Sequence, residues 1–326
     1  MKPSRAVQTR HCLRALLGAV LLSSCVATVE AAMPADKPWT SGHFRMMLGP
    51  VEITALSDGV LDLNKNIFRG ASEAQIDDLL ARGLVAGPKM PTSVNAFLIK
   101  LGTRLVLVDA GAGRSFGPTL GRLGQNLKAA GYEPAQVDAV LVTHLHGDHM
   151  GGLIDPDGKP VFPNATVHVP KADHDLWVSG STAKKPANKR PSPSQASQIA
   201  APYLAAGKWK TFDHGDQPVP GIRATAAVGH TPGHTAFEVR AGRRSLLIWG
   251  DIIHGMAVQL PRPDVAVRYD ANQRQAVASR QALLRKLAAD QTLVAGAHMP
   301  FPGIGTIRAE KDHAYTWVPV EPRSEP

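Results

Sequence analysis

The segment His144-Leu145-His146-Gly147-Asp148-His149 packs three imidazoles and a carboxylate into six positions. Imidazole and carboxylate are the ligands of choice for Zn²⁺ and similar first-row cations. In extended chain, alternate residues share a face, so His144, His146 and Asp148 point together and His149 points away. A turn at Gly147 would let Asp148 and His149 serve one cation while His144 and His146 serve a second. A cluster of this kind is hard to bury without a metal. Two neighbouring cations call for several ligands and a bridging anion. Asp251 is the candidate bridge, and His230 and His298 would complete the two sets. Of the 13 histidines, His168, His174, His214 and His313 stand in no motif and are read as ordinary core or surface residues.

Strand ends must deliver these groups. The run 137–142 reads as a buried strand leading straight into Thr143-His144. The run 222–228 leads into Gly229-His230, 245–249 into Gly250-Asp251, and 292–295 into Gly296-Ala297-His298. Reactive groups on loops with rigid strands behind them are how α/β folds place chemistry. Val51-Glu52-Ile53-Thr54-Ala55-Leu56 alternates and stops at Ser57-Asp58-Gly59, which reads as strand and turn. Hairpins are expected at 94–100/104–109 and 237–240/245–249, and a further strand at 166–169. Helices are expected over 72–82, 117–130 and 272–289. The Pro/Ser/Lys/Ala-rich stretch 178–200 reads as a long functional or mobile loop.

The segment matches the H-x-H-x-D-H signature of the metallo-β-lactamase-fold hydrolases. Gly229-His230-Thr231-Pro232-Gly233-His234, Gly250-Asp251 and Ala297-His298 resemble that family's later motifs in order. The likeness runs from about Ile53 to Val320. It implies an α/β fold, a four-layer αβ/βα sandwich with a binuclear site at one edge. It further implies that His144, His146 and His230 hold one metal, that Asp148, His149 and His298 hold the other, and that Asp251 bridges. Two divalent ions are implied, Zn first, with Mn, Co or Fe as alternatives. The stretches 116–123 and 301–305 resemble the subgroup containing methyl parathion hydrolase, which is exported, binuclear and cleaves phosphotriesters; several of its members are similar to lactonases. The family often has Pro or Ala where Gly147 stands, a departure that leaves the ligands untouched.

Other residues have smaller claims. Asp109 would orient a ligand imidazole from behind, or cap its own loop. His234 reads as structural, or as a ligand in place of His230. Phe116 and Trp177 would line an apolar substrate cleft. His254 stands three residues after Asp251, where lactonases of this fold often carry Tyr. It would donate a hydrogen bond to substrate or sit at the rim. Its presence weakens specialised acyl-homoserine lactone hydrolysis and favours substrates with good leaving groups.

The N-terminus reads as an export signal over 1–31: a basic front at Lys2, Arg5, Arg10 and Arg14, an apolar stretch, and a small-residue cleavage pattern at Val29-Glu30-Ala31. Residues 32–50 follow as a loose lead-in, and 51–326 as the catalytic domain. Periplasmic residence is expected. Leu22-Ser23-Ser24-Cys25 also resembles a lipoprotein box, which would anchor the chain by lipid at Cys25. Cys12 and Cys25 are the only cysteines, so a chain cleaved after Ala31 has no thiol and its metal site must use His and carboxylates. The signal carries three of the nine net positive charges, leaving a modest +6. The basic cluster Lys184, Lys185, Lys189 and Arg190 lacks interleaved aromatics, so nucleic acid is not expected as a partner. Small molecules are, and a homodimer is allowed for. The apolar run is too short for a membrane span.

Paired cations supply hydroxide at neutral pH for attack on carbonyl carbon or phosphorus. Asp148 or Asp251 would pass a proton to the leaving group. No nucleophilic Ser or Cys is needed for this chemistry. The sequence therefore points to a hydrolase of small hydrophobic esters, lactones or phosphotriesters. The alternatives are a β-lactamase, which Asp251 as ligand opposes, and thioester hydrolysis of the glyoxalase type or sulfur dioxygenation on the same fold. A metal store without catalysis is opposed by the complete ligand set.

Overall fold

The computed structural model describes residues 41–113, 116–179 and 194–321. The export signal, Cys25, the basic cluster at 184–190 and most of the 178–200 stretch lie outside the described residues. Residues from Thr40 onward form one compact unit.

Two sheets make its centre. The first runs in the order β1 (His43–Leu48), β2 (Val51–Asn64), β4 (Lys89–Leu101), β5 (Arg104–Val108), β6 (Ala139–Leu141), β7 (Thr166–Pro170) and β8 (Trp209–Phe212). The second runs β15 (Tyr315–Pro319), β14 (Ile304–Ala309), β13 (Leu293–Ala295), β11 (Arg244–Ile248), β10 (Thr235–Ala241) and β9 (Ile222–Ala226). A short ribbon pairs β3 (Phe68–Arg69) with β12 (Ala266–Val267).

Alternation explains the layering. Along β5, Val106 and Val108 enter the core between the sheets, where they meet Phe237, Val239, Leu246 and Ile248 of the second sheet. Leu105 and Leu107 point to the other face, under α2 (Leu123–Ala129) and α5 (Gln195–Ala205), against Leu123, Leu127, Ile199 and Tyr203. In the second sheet Leu247 and Trp249 turn outward onto Leu283, Leu284 and Leu287 of α7 (Gln273–Asp290). Strands buried on both faces read as near-continuous apolar runs. The result is the expected four-layer αβ/βα sandwich. Among the described residues, no helix is long and apolar enough to cross a membrane.

Several elements differ from the sequence reading. The lead-in is not loose over its described part: β1 pairs antiparallel with β2 from His43↔Leu56 to Leu48↔Val51. The helix expected over 117–130 begins only at Leu123, because Gly117 and Gly121 take φ of 101° and 82°, outside the helical region. The loop reading of 178–200 overran α5, which Ser194 caps by accepting the Ser197 amide. Trp177 closes α4 (Lys171–Trp177). The helix α1 (Glu73–Arg82) stands as read, with a reciprocal capping box between Ser72 and Gln75.

His168 on β7 sits opposite Lys210 of β8. Burial, helped by the Lys210 charge, lowers its pKa to about 4 from 6.5. The unfolded chain therefore takes the proton first. This contribution leaves stability full above pH 6.5 and erodes it as pH falls toward 4. Thermal unfolding across that window should show a shallower decline for His168→Gln than for the parent, by on the order of 1 kcal/mol at the acid end.

Candidate metal centre

Loops at one edge of the two sheets converge. His144 and His146 follow β6, and the turn expected at Gly147 is the start of α3 (Gly147–Met150), which carries Asp148 and His149. His230 follows β9, Asp251 follows β11 and His298 follows β13. Gly250 has φ of 57°, and a Cβ there would lie 2.6 Å from His234 Nε2, so only glycine lets the chain enter Asp251 this way.

All seven ligand candidates come together in two groups that share Asp251. One holds His144, His146, His230 and Asp251; the other holds Asp148, His149, Asp251 and His298. Within each, one ligand atom per residue lies within 4.8 Å of the rest. The two oxygens of Asp251 divide between the groups. Oδ1 lies 3.0 Å from His149 Nε2 and 3.2 Å from His298 Nε2. Oδ2 lies 3.3 Å from His230 Nε2 and 3.7 Å from His144 Nε2.

Four of these rings are fixed from behind through Nδ1. His149 Nδ1 donates to Asp109 Oδ2 at 2.9 Å, His230 Nδ1 to Asp270 Oδ1 at 2.9 Å, and His298 Nδ1 to the Ser93 carbonyl at 2.9 Å. His144 Nδ1 meets Thr143 Oγ1, whose own hydrogen goes to Asp109. In the neutral ring each such bond uses the N–H and leaves the Nε2 lone pair facing inward. His146 instead turns Nδ1 inward, 3.1 Å from His144 Nε2 and 3.0 Å from His230 Nε2. Three nitrogen lone pairs cannot satisfy one another. His149 Nε2 and Asp251 Oδ1 are buried without a hydrogen-bond partner. The donor set thus fits cations.

The electrostatics agree. Among the described residues, no lysine or arginine pairs with Asp148 or Asp251. Burial opposes the charged form of Asp251, yet the histidines, His149 first, hold its pKa well below the usual carboxylate range. Burial likewise opposes protonation of His298, but Asp251 and Asp148 outweigh it and carry that ring up to about 10. In His146, burial and then the His230 charge push the pKa down to about 4. The carboxylates of the pocket demand positive charge around them, while His146 keeps a nitrogen free of its proton.

The remaining sequence candidates take distinct places. Asp109 accepts the Thr143 amide besides the His149 ring. His234 spends both ring nitrogens on backbone: Nδ1 on the Ala227 carbonyl and Nε2 on the Asp251 amide. It cannot also face the cluster as a ligand. His254 Nε2 lies 3.1 Å from Asp251 Oδ2, and its Nδ1 is buried without a partner. With Nε2 donating to Asp251, the neutral ring leaves Nδ1 as an acceptor. Phe116 is half exposed and, with Leu61, Leu63, Thr119 and Tyr269, walls a cleft of about 520 Å³ whose floor is the cluster. Trp177 packs 5.7 Å from the His146 ring but does not line that cleft.

Sequence reasoning missed three buried carboxylates. Asp270 lies behind His230. Asp173 accepts from the Leu145 and Gly233 amides and the Thr231 hydroxyl, tying two ligand loops together. Asp58 accepts the amides of Ala112, Gly121 and Leu123 and so holds the loop that carries Phe116. Their partners are 28 to 65 residues away in sequence, and no local spacing announces them.

Residues 90–298 match the family described as Metallo-beta-lactamase superfamily. The chain is 25% identical over 181 residues to a probable metallo-hydrolase of Mycobacterium tuberculosis, covering 49% of this chain and 56% of that one. It is 30% identical over 120 residues to the N-acyl homoserine lactonase AttM of Agrobacterium fabrum, covering 35% of this chain and 40% of that one. The chain spans about half the length of the curated relatives it matches. Among solved structures it is similar to the hydrolase AbOPH of the beta-lactamase superfamily, with 36% identity, a TM-score of 0.81, and coverage of 88% of this chain and 100% of that one. It is also similar to AidC, a dizinc quorum-quenching lactonase solved with a product. There the identity is 27%, the TM-score 0.77, and the coverage 87% of this chain and 99% of that one.

Asp173→Ala would strand three buried donors at the junction of the ligand loops. The urea midpoint of metal-free protein should fall, corresponding to a loss of about 3 kcal/mol.

Proposed function

The chain belongs to the metallo-β-lactamase superfamily, and we propose that it is a binuclear metal-dependent hydrolase of small, uncharged, hydrophobic esters, lactones or phosphotriesters. One observation carries the reading: two imidazole–carboxylate groups share Asp251 at the floor of an apolar-walled cleft. His144, His146, His230 and Asp251 Oδ2 would hold one cation. Asp148, His149, His298 and Asp251 Oδ1 would hold the other, with Zn as first choice. When bound, such cations supply hydroxide at neutral pH and polarise the scissile oxygen.

The chain's own residues do the rest. Asp109, Asp270 and the Ser93 carbonyl keep the rings in the tautomer that points Nε2 inward. Asp148 has 18% of its side chain exposed against 2% for Asp251. Asp148 is therefore the carboxylate that reaches a leaving group and returns a proton to it, while Asp251 is enclosed by imidazoles. Leu61, Leu63, Phe116 and Tyr269 exclude water and receive the apolar part of the substrate.

No lysine or arginine is among the described residues lining the cleft. β-Lactams and glutathione thioesters carry carboxylates that need a cationic partner, so this wall supports neutral substrates and weighs against both alternatives. The similarity to a dizinc lactonase supports lactones. The likeness of 116–123 to the methyl parathion hydrolase subgroup supports phosphotriesters. Export stays part of this proposal on the strength of residues 1–31. Mature protein from its producing cell should begin near Ala32 or carry lipid on Cys25, read by mass spectrometry of the N-terminus.

Stripping with a chelator should abolish turnover of a lactone, aryl ester and phosphotriester panel, and Zn²⁺, Mn²⁺ or Co²⁺ should restore it. Asp251→Asn should lose one ion or most of the rate. Full turnover in verified metal-free protein, or preference for nitrocefin, would overturn the reading. Phe116→Ala should raise KM for bulky aryl substrates by about 5-fold with both ions retained, the loss of about 1 kcal/mol of contact.

A further inference from the structure

Arg280, on α7, is the only lysine or arginine buried among the described residues, at 1% exposure. An apolar side chain would fill this place at less cost, since a buried charge must be desolvated. The guanidinium answers that cost with three carbonyl hydrogen bonds and one carboxylate. Nε donates to the Ile252 carbonyl at 2.7 Å, and Nη1 to the carbonyls of Pro263 and Val265 at 3.0 and 2.8 Å. Nη2 lies 3.9 Å from Asp270 Oδ2.

These partners are not scattered. Ile252 directly follows Asp251, and Asp270 holds the His230 ring through Oδ1 while accepting the Val267 amide through Oδ2. One planar fork therefore grips both ends and the middle of the segment 251–270. That segment supplies Asp251, His254 and Tyr269 to the cleft. Gln259 reinforces it: its Oε1 accepts the His254 and Gly255 amides, and its Nε2 donates to the same Val265 carbonyl. Few side chains other than arginine could reach three carbonyls and a carboxylate from one point.

We propose that Arg280 is a positioning residue of the metal centre. It sets the 251–270 segment and the Asp270 carboxylate so that His230 Nε2 faces one cation. The inference rests on the metal-centre reading above. Its effect is one-sided. The rings of the other group are set by Asp109 and the Ser93 carbonyl, which Arg280 does not touch, and the Asp251 amide is held independently by His234.

The test is a Zn²⁺ titration of metal-free full-length protein against a chromophoric chelator, resolving two dissociation constants. The parent is compared with Arg280→Met, Arg280→Lys and Asp270→Asn, and with Arg285→Met on the exposed face of the same helix as control. Arg280→Met should weaken one constant tenfold or more and leave the other within about threefold. Arg280→Lys keeps the charge without the fork and should show the same one-sided loss, so the result stands even if the methionine variant fails to fold. Combining Asp270→Asn with the Arg280 substitution should weaken that constant by less than the product of the single effects, because both act through His230. A folded variant with both constants unchanged, or both weakened equally, overturns the role of Arg280 and leaves the metal centre standing. Parent protein that takes up no Zn²⁺ overturns both.

Discussion

Asp251 sets the terms for the rest of the molecule. Its side chain is almost fully buried, five imidazoles lie within 3.7 Å of its oxygens, and each oxygen belongs to a different group. A carboxylate in such a place is tolerable only with positive charge close by. The chain supplies imidazoles, four of which have their outward nitrogens already committed. Neither group is self-sufficient, and the shared residue forces the two to be built to a common geometry.

The sandwich serves that geometry by presenting loops from both sheets at one edge. Strands buried on both faces do not shift, so the positions of His144, His230, Asp251 and His298 inherit the rigidity of two hydrophobic cores. Behind the ring of histidines stands a row of carboxylates, Asp109, Asp270 and Asp173, whose partners are ligand rings and ligand-loop backbone. These groups convert strand placement into side-chain orientation. His234 works the same way with an imidazole, bridging the Ala227 carbonyl and the Asp251 amide.

The candidate ligands were legible because metal chemistry concentrates unusual residue types in short stretches. Three histidines and an aspartate between 144 and 149 have no simpler use, and each later ligand follows an apolar strand. The layers were legible for a related reason, since strands such as 104–108 and 137–142 are apolar on both faces. The supporting residues were not. Asp270, Asp173 and Arg280 are single polar residues in unremarkable surroundings, and their roles exist only through contacts made across dozens of intervening positions. Helix limits failed where backbone conformation outweighed pattern: glycines at 117 and 121 hold off α2, and α5 begins at Gln195, inside a stretch whose Pro and Ser content suggested a loop. Trp177 shows the limit of guessing a wall from an aromatic. It packs beside a ligand ring, and Tyr269, which no pattern singled out, takes part in the wall instead.

The bond from His298 to the Ser93 carbonyl spans 205 positions. Closing so long a loop is entropically slow, and contacts of this range form late in the ordering of a chain. During synthesis, the strand that holds Ser93 emerges long before its partner. The first half carries His144, His146, Asp148 and His149 without the residues that complete either group. The order of events follows chain connectivity: the group with His230 has all its residues once Asp251 is made, and the group with His298 closes only after nearly all of the described chain has been made.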